Sequence, residues 1–144
     1  MQRPLALALI LALLTGCDSF PKDPDGTTER IAESGVMRAG IVGDAAGEAE
    51  ERALATALAA ASGAEAELHP GSAETLLLAM EAGELDIVIG DFAEASPWAG
   101  RLALAPSPLT AHPPKEAPVL RALLPPGENR WLLHVTKTIE DMRP

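Results

Sequence analysis

Leu85-Asp86-Ile87-Val88-Ile89-Gly90-Asp91-Phe92 carries the strongest strand signal in the chain. Branched aliphatic residues run unbroken from 87 to 89, as in strands covered on both faces. The stretch just before it reads as a helix over residues 72–82. Ser72 is a natural N-cap, Leu76, Leu77 and Met80 share one face, and Gly83 is the stop. Further upstream, residues 64–68 read as a weak strand. Residues 48–62 read as a helix with Leu54, Leu58 and Ala61 inward and Gly63 as its stop. Residues 36–42 read as a strand with Val36 and Ile41-Val42 inward. A short helix over residues 27–34, ended by Gly35, precedes it.

This order is strand, helix, strand, helix, strand. It predicts an α/β domain, a three-layer open parallel sheet of βαβαβ form. Ligands of such sheets sit beyond the carboxyl ends of the strands at the switch point. Here that edge is Gly43-Asp44-Ala45 and Gly90-Asp91-Phe92. Downstream, Ser96-Pro97-Trp98, Pro106-Ser107-Pro108 and His112-Pro113-Pro114 make a proline-rich passage around a short extended segment at 102–105. Residues 118–124 read as a last strand, ended by Pro125-Pro126-Gly127. A final helix over 128–142 spaces Trp131, Val135 and Ile139 four apart. Tyrosine is absent, so the core rests on Leu, Ile, Val and Ala.

The N-terminus has a different character. After Met1-Gln2-Arg3-Pro4 an apolar run extends from Leu5 to Leu14, followed by Thr15-Gly16-Cys17. The run is about half the 20 or so residues a membrane span needs. It resembles a bacterial lipoprotein signal with its lipobox at 14–17. That resemblance implies cleavage before Cys17, the only cysteine, and attachment of a diacylglyceride and further acyl chains such as palmitate. More than one chain gives stable anchoring. Asp18 resembles the inner-membrane retention signal of enterobacterial lipoproteins, so the periplasmic face of the inner membrane is expected. The expected organisation is a signal peptide over 1–16, an acylated N-terminus and linker over 17–26, and one domain over 27–144. With Cys17 acylated, no thiol is left for a disulfide, a metal or a nucleophile.

The formal net charge of −10 becomes about −11 once Arg3 is removed. Phosphate backbones require a basic surface, so nucleic acid is excluded as a partner. His69, His112 and His134 are too scattered for a metal-ligand pattern. The sequence has neither a nucleophile elbow nor a glycine-rich phosphate loop. We therefore expect no catalytic residues, no metal and no cofactor, in a protein that is not an enzyme.

Thr28-Glu29-Arg30-Ile31 through Gly35-Val36-Met37-Arg38-Ala39-Gly40-Ile41 resembles the opening of family 3 extracellular solute-binding proteins. Glu74 to Gly90, Ser96 to Leu104 and Pro125 to Leu132 are similar, in the same order, to later segments of that family. The resemblance implies one lobe of a type II periplasmic binding protein plus a C-terminal helix. It also implies an amino acid or organic acid as solute, and a membrane permease of ABC type or a sensor as partner. Three departures accompany it. The chain has length for about one lobe. The segment after the first strand shrinks to Gly43-Asp44-Ala45-Ala46-Gly47. The position where the family places its carboxylate-gripping arginine falls near Trp98; Arg101 aligns with a solvent-facing basic residue and receives no ligand role.

Asp44, Asp91 and Trp98 are the candidate ligand contacts. Asp91 reads more readily as a turn-forming or capping aspartate than as a ligand contact. Trp98 reads as a stacking residue or as a plug for a cleft that lost its partner lobe. Asp86, between apolar residues, is expected to point to solvent or to cap a turn, and Glu48, Glu50 and Glu51 to form a solvated helix face. Two functional readings follow: a membrane-anchored binding module for a small solute, or a degenerate lobe that contacts another envelope protein.

Overall fold

The computed structural model describes residues 21–43 and 49–144. Its elements are α1 (Thr27–Ser34), β1 (Val36–Val42), α2 (Ala49–Ala61), β2 (Glu65–Gly71), α3 (Ala73–Glu81) and β3 (Ile87–Phe92). A short 3₁₀ turn (Pro97–Gly100), β4 (Ala103–Leu104), β5 (Val119–Leu124) and α4 (Asn129–Met142) follow. The strand order is β2-β1-β3-β5-β4. β1 pairs in parallel with β2 and β3, as the alternation of elements predicts. The sheet is nevertheless mixed, because β5 returns antiparallel to β3 and β4 antiparallel to β5. β2 is longer than expected and contains Pro70; as an edge strand it gives up a donor there at little cost.

Two apolar layers sandwich the sheet. On one face Met37, Ala39, Ile41, Ile87, Ile89, Leu120, Ala122 and Leu124 meet Ile31 of α1, the inner stripe of α2, and Trp131, Val135 and Ile139 of α4. On the other, Val88 and Leu123 meet Leu76, Leu77 and Met80 of α3 together with Leu85, Phe92 and Leu102. The two-residue period of the strands assigns each side chain to its layer. Each fully buried Leu or Ile contributes about 1.5–3 kcal/mol. On α2 the buried stripe is Glu51, Leu54, Ala55, Leu58 and Ala59. It is rotated from the expected one, so Ala61 is exposed and Glu51 buried, whereas Glu50 is exposed as expected and Glu48 lies outside the described residues. Residues 51, 54, 55 and 58 share one helical face, so the position of Glu51 on that stripe outweighs its charge.

Gly90 is required by a close approach. A Cβ there would stand 2.7 Å from Val42 Cβ, so β1 and β3 can come together at their carboxyl ends only over a glycine.

The amino end of the sheet is closed by charge. Asp86 is 1% exposed, not solvent-facing. Its Oδ2 accepts from Arg38 N at 2.8 Å and its Oδ1 from Arg38 Nη2 at 2.6 Å, and Arg30 donates to the same oxygen. The Asp86 carbonyl accepts from Trp131 Nε1 at 3.0 Å. A buried carboxylate so placed has its lone pairs filled by two guanidinium groups and a backbone amide.

Residues 22–28 are held against the start of α4. Asp23 Oδ1 accepts from Arg130 N at 2.8 Å and Trp131 N at 3.0 Å, and its Oδ2 accepts from Thr28 N at 3.2 Å. Buried Glu128 accepts from Asp25 N at 2.9 Å and Thr27 N at 3.0 Å. Neither α1 nor α4 has a side-chain cap from its own N-cap residue. α4 takes its acceptor from Asp23, which flanks α1, and α1 takes its acceptors from Glu128 at the start of α4 and from Asp23, which satisfies amides that a helix start leaves open.

Candidate functional site

The carboxyl ends of β1 and β3 form the switch-point edge. β1 ends in Val42 and Gly43; the latter has φ 142° and donates from its amide to Gly71 O at 3.0 Å. Asp44, the first candidate contact, lies outside the described residues, as do Cys17 and Asp18. Asp91 is exposed, and it sits inside β3 opposite Leu120 rather than in a turn beyond the strand. Its neighbours Gly90 and Phe92 point to the α3 side, so the pleat turns Asp91 to the other face.

Trp98, in the 3₁₀ turn, is half-buried against the layer that contains Phe92, with Val42 packed on the same layer. Arg101 lies with its guanidinium carbon 5.2 Å from the Trp98 ring centroid and bonds Glu81 at 2.8 Å. The indole therefore rests on the core and carries a cation on its ring. The structure puts Trp98, Val42 and Phe92 on the same apolar layer and sets Asp91 on the opposite pleat. Ser72 is the cap of α3, its hydroxyl accepting from Thr75 N at 3.3 Å.

A second feature was not read from the sequence. β4 pairs only through Ala103 and Leu104, after which Ala105 N donates to Ala122 O at 2.9 Å. The chain then leaves the sheet through Pro106, Pro108, Pro113 and Pro114 and returns at Val119. The outer edge of β5 is left unpaired over its first residues. There a cavity of about 700 Å³ opens, walled by Leu102, Leu104 and Leu132 and by Arg121, Lys115 and Glu94. The Arg121 side chain is 7% exposed. Its Nη1 reaches Ala105 O at 3.4 Å, its Nη2 stands 4.0 Å from Glu94 Oε2, and its Nε has no partner among the described residues. One signal pointed to it: a single charge inside the apolar run Val119-Leu120-Arg121-Ala122-Leu123-Leu124.

Among the described residues no group of three or more His, Cys, Asp or Glu could hold a metal ion, and no helix is long and apolar enough to cross a membrane.

Residues 1–17 match the model for the prokaryotic membrane lipoprotein lipid attachment site, a match that ends on Cys17 and supports a lipid-anchored envelope protein. A comparison with curated sequences finds no match. Among solved structures, the arginine-bound form of domain 1 from TmArgBP superposes with a TM-score of 0.67 at 13% identity, covering 78% of this chain and 97% of that one. A point mutant of the same arginine-bound domain gives 0.69 at 13% identity over 80% and 97%. The ancestral amino acid-binding protein AncCDT-1, a precursor of cyclohexadienyl dehydratase, gives 0.63 at 14% identity over 81% and 92%. At such identities the likeness is one of fold. The chain has the α/β fold of one lobe of a periplasmic binding protein, with a C-terminal helix.

Proposed function

We propose that this protein is a membrane-anchored, non-enzymatic solute-binding lipoprotein that takes an amino acid or organic acid and presents it to a permease of ABC type or a sensor in the inner membrane. The observation that carries the reading is the likeness to domain 1 of TmArgBP: that protein is an isolated lobe of the same fold, and it is described in an arginine-bound form. One lobe can thus hold a solute of this class. Asp91 and Trp98 lie toward the edge where the ligand would sit, and Asp44 is kept beside them as a candidate from the sequence alone. The lipid on Cys17, with Asp18 behind it, sets the address at the periplasmic face.

The hold on residues 22–28 adds an orientation. With Lys22 and Asp23 fixed to α4, the tether from Cys17 to Pro21 spans at most about 14 Å. It leaves from the amino end of the sheet, so the carboxyl edge faces away from the bilayer. The tether also keeps the lobe at high local concentration beside a membrane partner, where weak binding suffices.

The test is a thermal-shift screen of the protein against amino acids and organic acids. Stabilisation by one of them at millimolar concentration is expected; none by any would count against solute binding. A second reading, a degenerate lobe that contacts an envelope protein, is favoured by Trp98, whose ring is already covered by core and Arg101. Cross-linking through the native anchor tests it, and recovery of no partner would sink it.

A further inference from the structure

We propose that Arg121 is the anion-binding residue of a carboxylate site in the sheet-edge cavity, and that the ligand it takes is a small organic carboxylate. The proposal deepens the solute-binding reading and rests on it. It moves the grip on the ligand from the switch-point edge to the open side of β5.

Three observations converge. The first is electrostatic. A guanidinium that is 7% exposed is costly to bury unless its donors are used. Arg121 has one long hydrogen bond, to Ala105 O at 3.4 Å, and a carboxylate at 4.0 Å that is outside bonding range. Its Nε is buried with no partner among the described residues. Arg38, the other guanidinium beside a buried strand, instead places Nε and Nη2 on Asp86 at 3.3 and 2.6 Å. The fold therefore closes one arginine fork and leaves the other open.

The second is local charge. Glu94 is shared between Arg121 and Lys115, whose Nζ is 3.9 Å from it. Glu140, exposed, also borders the cavity, so two cations face two carboxylates and the lining is near neutral in a chain whose net charge is −10. His112, also exposed, borders it too.

The third is size and lining. About 700 Å³ suits a molecule with a carbon skeleton. Leu102, Leu104 and Leu132 give that skeleton an apolar wall, while a bare oxyanion would leave most of the space unused. The exposed half of Glu94 gives it room to swing aside. An incoming carboxylate then takes the side-on fork of Nε and Nη2, the bidentate geometry that guanidinium groups favour.

The experiment is a titration of the full chain in detergent with glutarate, with glutaramide as its uncharged isostere and inorganic phosphate as the second anion. The readouts are the ¹⁵N–¹H resonance of Arg121 Nε and Tm. Glutarate should shift the Nε resonance in a saturable way and raise Tm by roughly 5 °C at ten times its dissociation constant. Glutaramide should do neither. Arg121→Met, which matches the volume without the charge, should lose the Tm response and be no less stable than the parent when ligand-free. If Arg121→Met does not fold, the resonance of the unaltered chain still decides.

Glutarate without effect on the Nε resonance overturns the proposal. So does a Tm response that survives in Arg121→Met. Phosphate matching glutarate overturns the assignment to an organic carboxylate. Trp98→Ala separates the two levels of the reading. If it abolishes solute binding while Arg121→Met keeps it, the lobe binds solute at the switch-point edge and Arg121 is not the grip.

Discussion

The two charged regions of this sheet treat their ions in opposite ways. At the amino end, Asp86, Asp23 and Glu128 are surrounded by donors at hydrogen-bonding distance. Toward the carboxyl end, Arg121 lies beside Gly90 with one long bond and an unpartnered Nε. Burial is nearly equal: Asp86 is 1% and Arg121 6% exposed. What separates them is saturation. A saturated buried charge holds elements in place, and removing it leaves its partners stranded. An unsaturated one adds little to the fold and stays available to something else.

That contrast can be broken in graded steps. Asp86→Ala should have the largest effect. It strands Arg30, Arg38 and the Arg38 amide, and should cost about 3–5 kcal/mol in urea unfolding; a loss below about 1 kcal/mol would mean that the amino end is not held by charge. Glu128→Ala should follow, at about 2–3 kcal/mol, because two amides lose their acceptor at once. Hydrogen exchange at Asp25 and Thr27 should rise with it, and unchanged protection there would contradict the assigned bonds. Gly90→Ala tests the carboxyl end through packing. The added methyl meets Val42 and should cost about 1–3 kcal/mol. Val42→Gly, which removes both contacting atoms, should couple favourably with it in a double-mutant cycle, and strict additivity would place the strain elsewhere. Ser72→Ala is the smallest, about 1 kcal/mol for a lost cap, with solute responses unaltered.

The order of elements was readable because periodicity and punctuation agree in this chain. Gly35, Gly63 and Gly83 stop three helices, and residues 87–89 cannot be other than a covered strand. Ser72 was recognisable as a cap because its role is local. What escaped was set by partners far along the chain. Asp86 looked like a solvent-facing residue because its partners Arg30 and Arg38 lie 56 and 48 positions away. Glu51 looked solvated because charge was weighed above the stripe it occupies. The antiparallel return of β5 is a matter of topology, which neither composition nor period encodes. Arg121 was visible as a lone charge in an apolar run, but its missing partners are visible only in three dimensions. Asp91 and Trp98 were singled out for sitting near the switch point, and the pleat separates them.

The contacts of Asp23 and Glu128 also impose an order of assembly. They join positions about 100 residues apart, and a chain made from its N-terminus has no α4 to offer until the sheet strands are already complete. Closing so long a loop is slow relative to forming local helices. The turn from Asp23 to Thr28 therefore lacks its distant partners until the last helix is made, and the arrival of Asn129 to Trp131 is the event that fixes it.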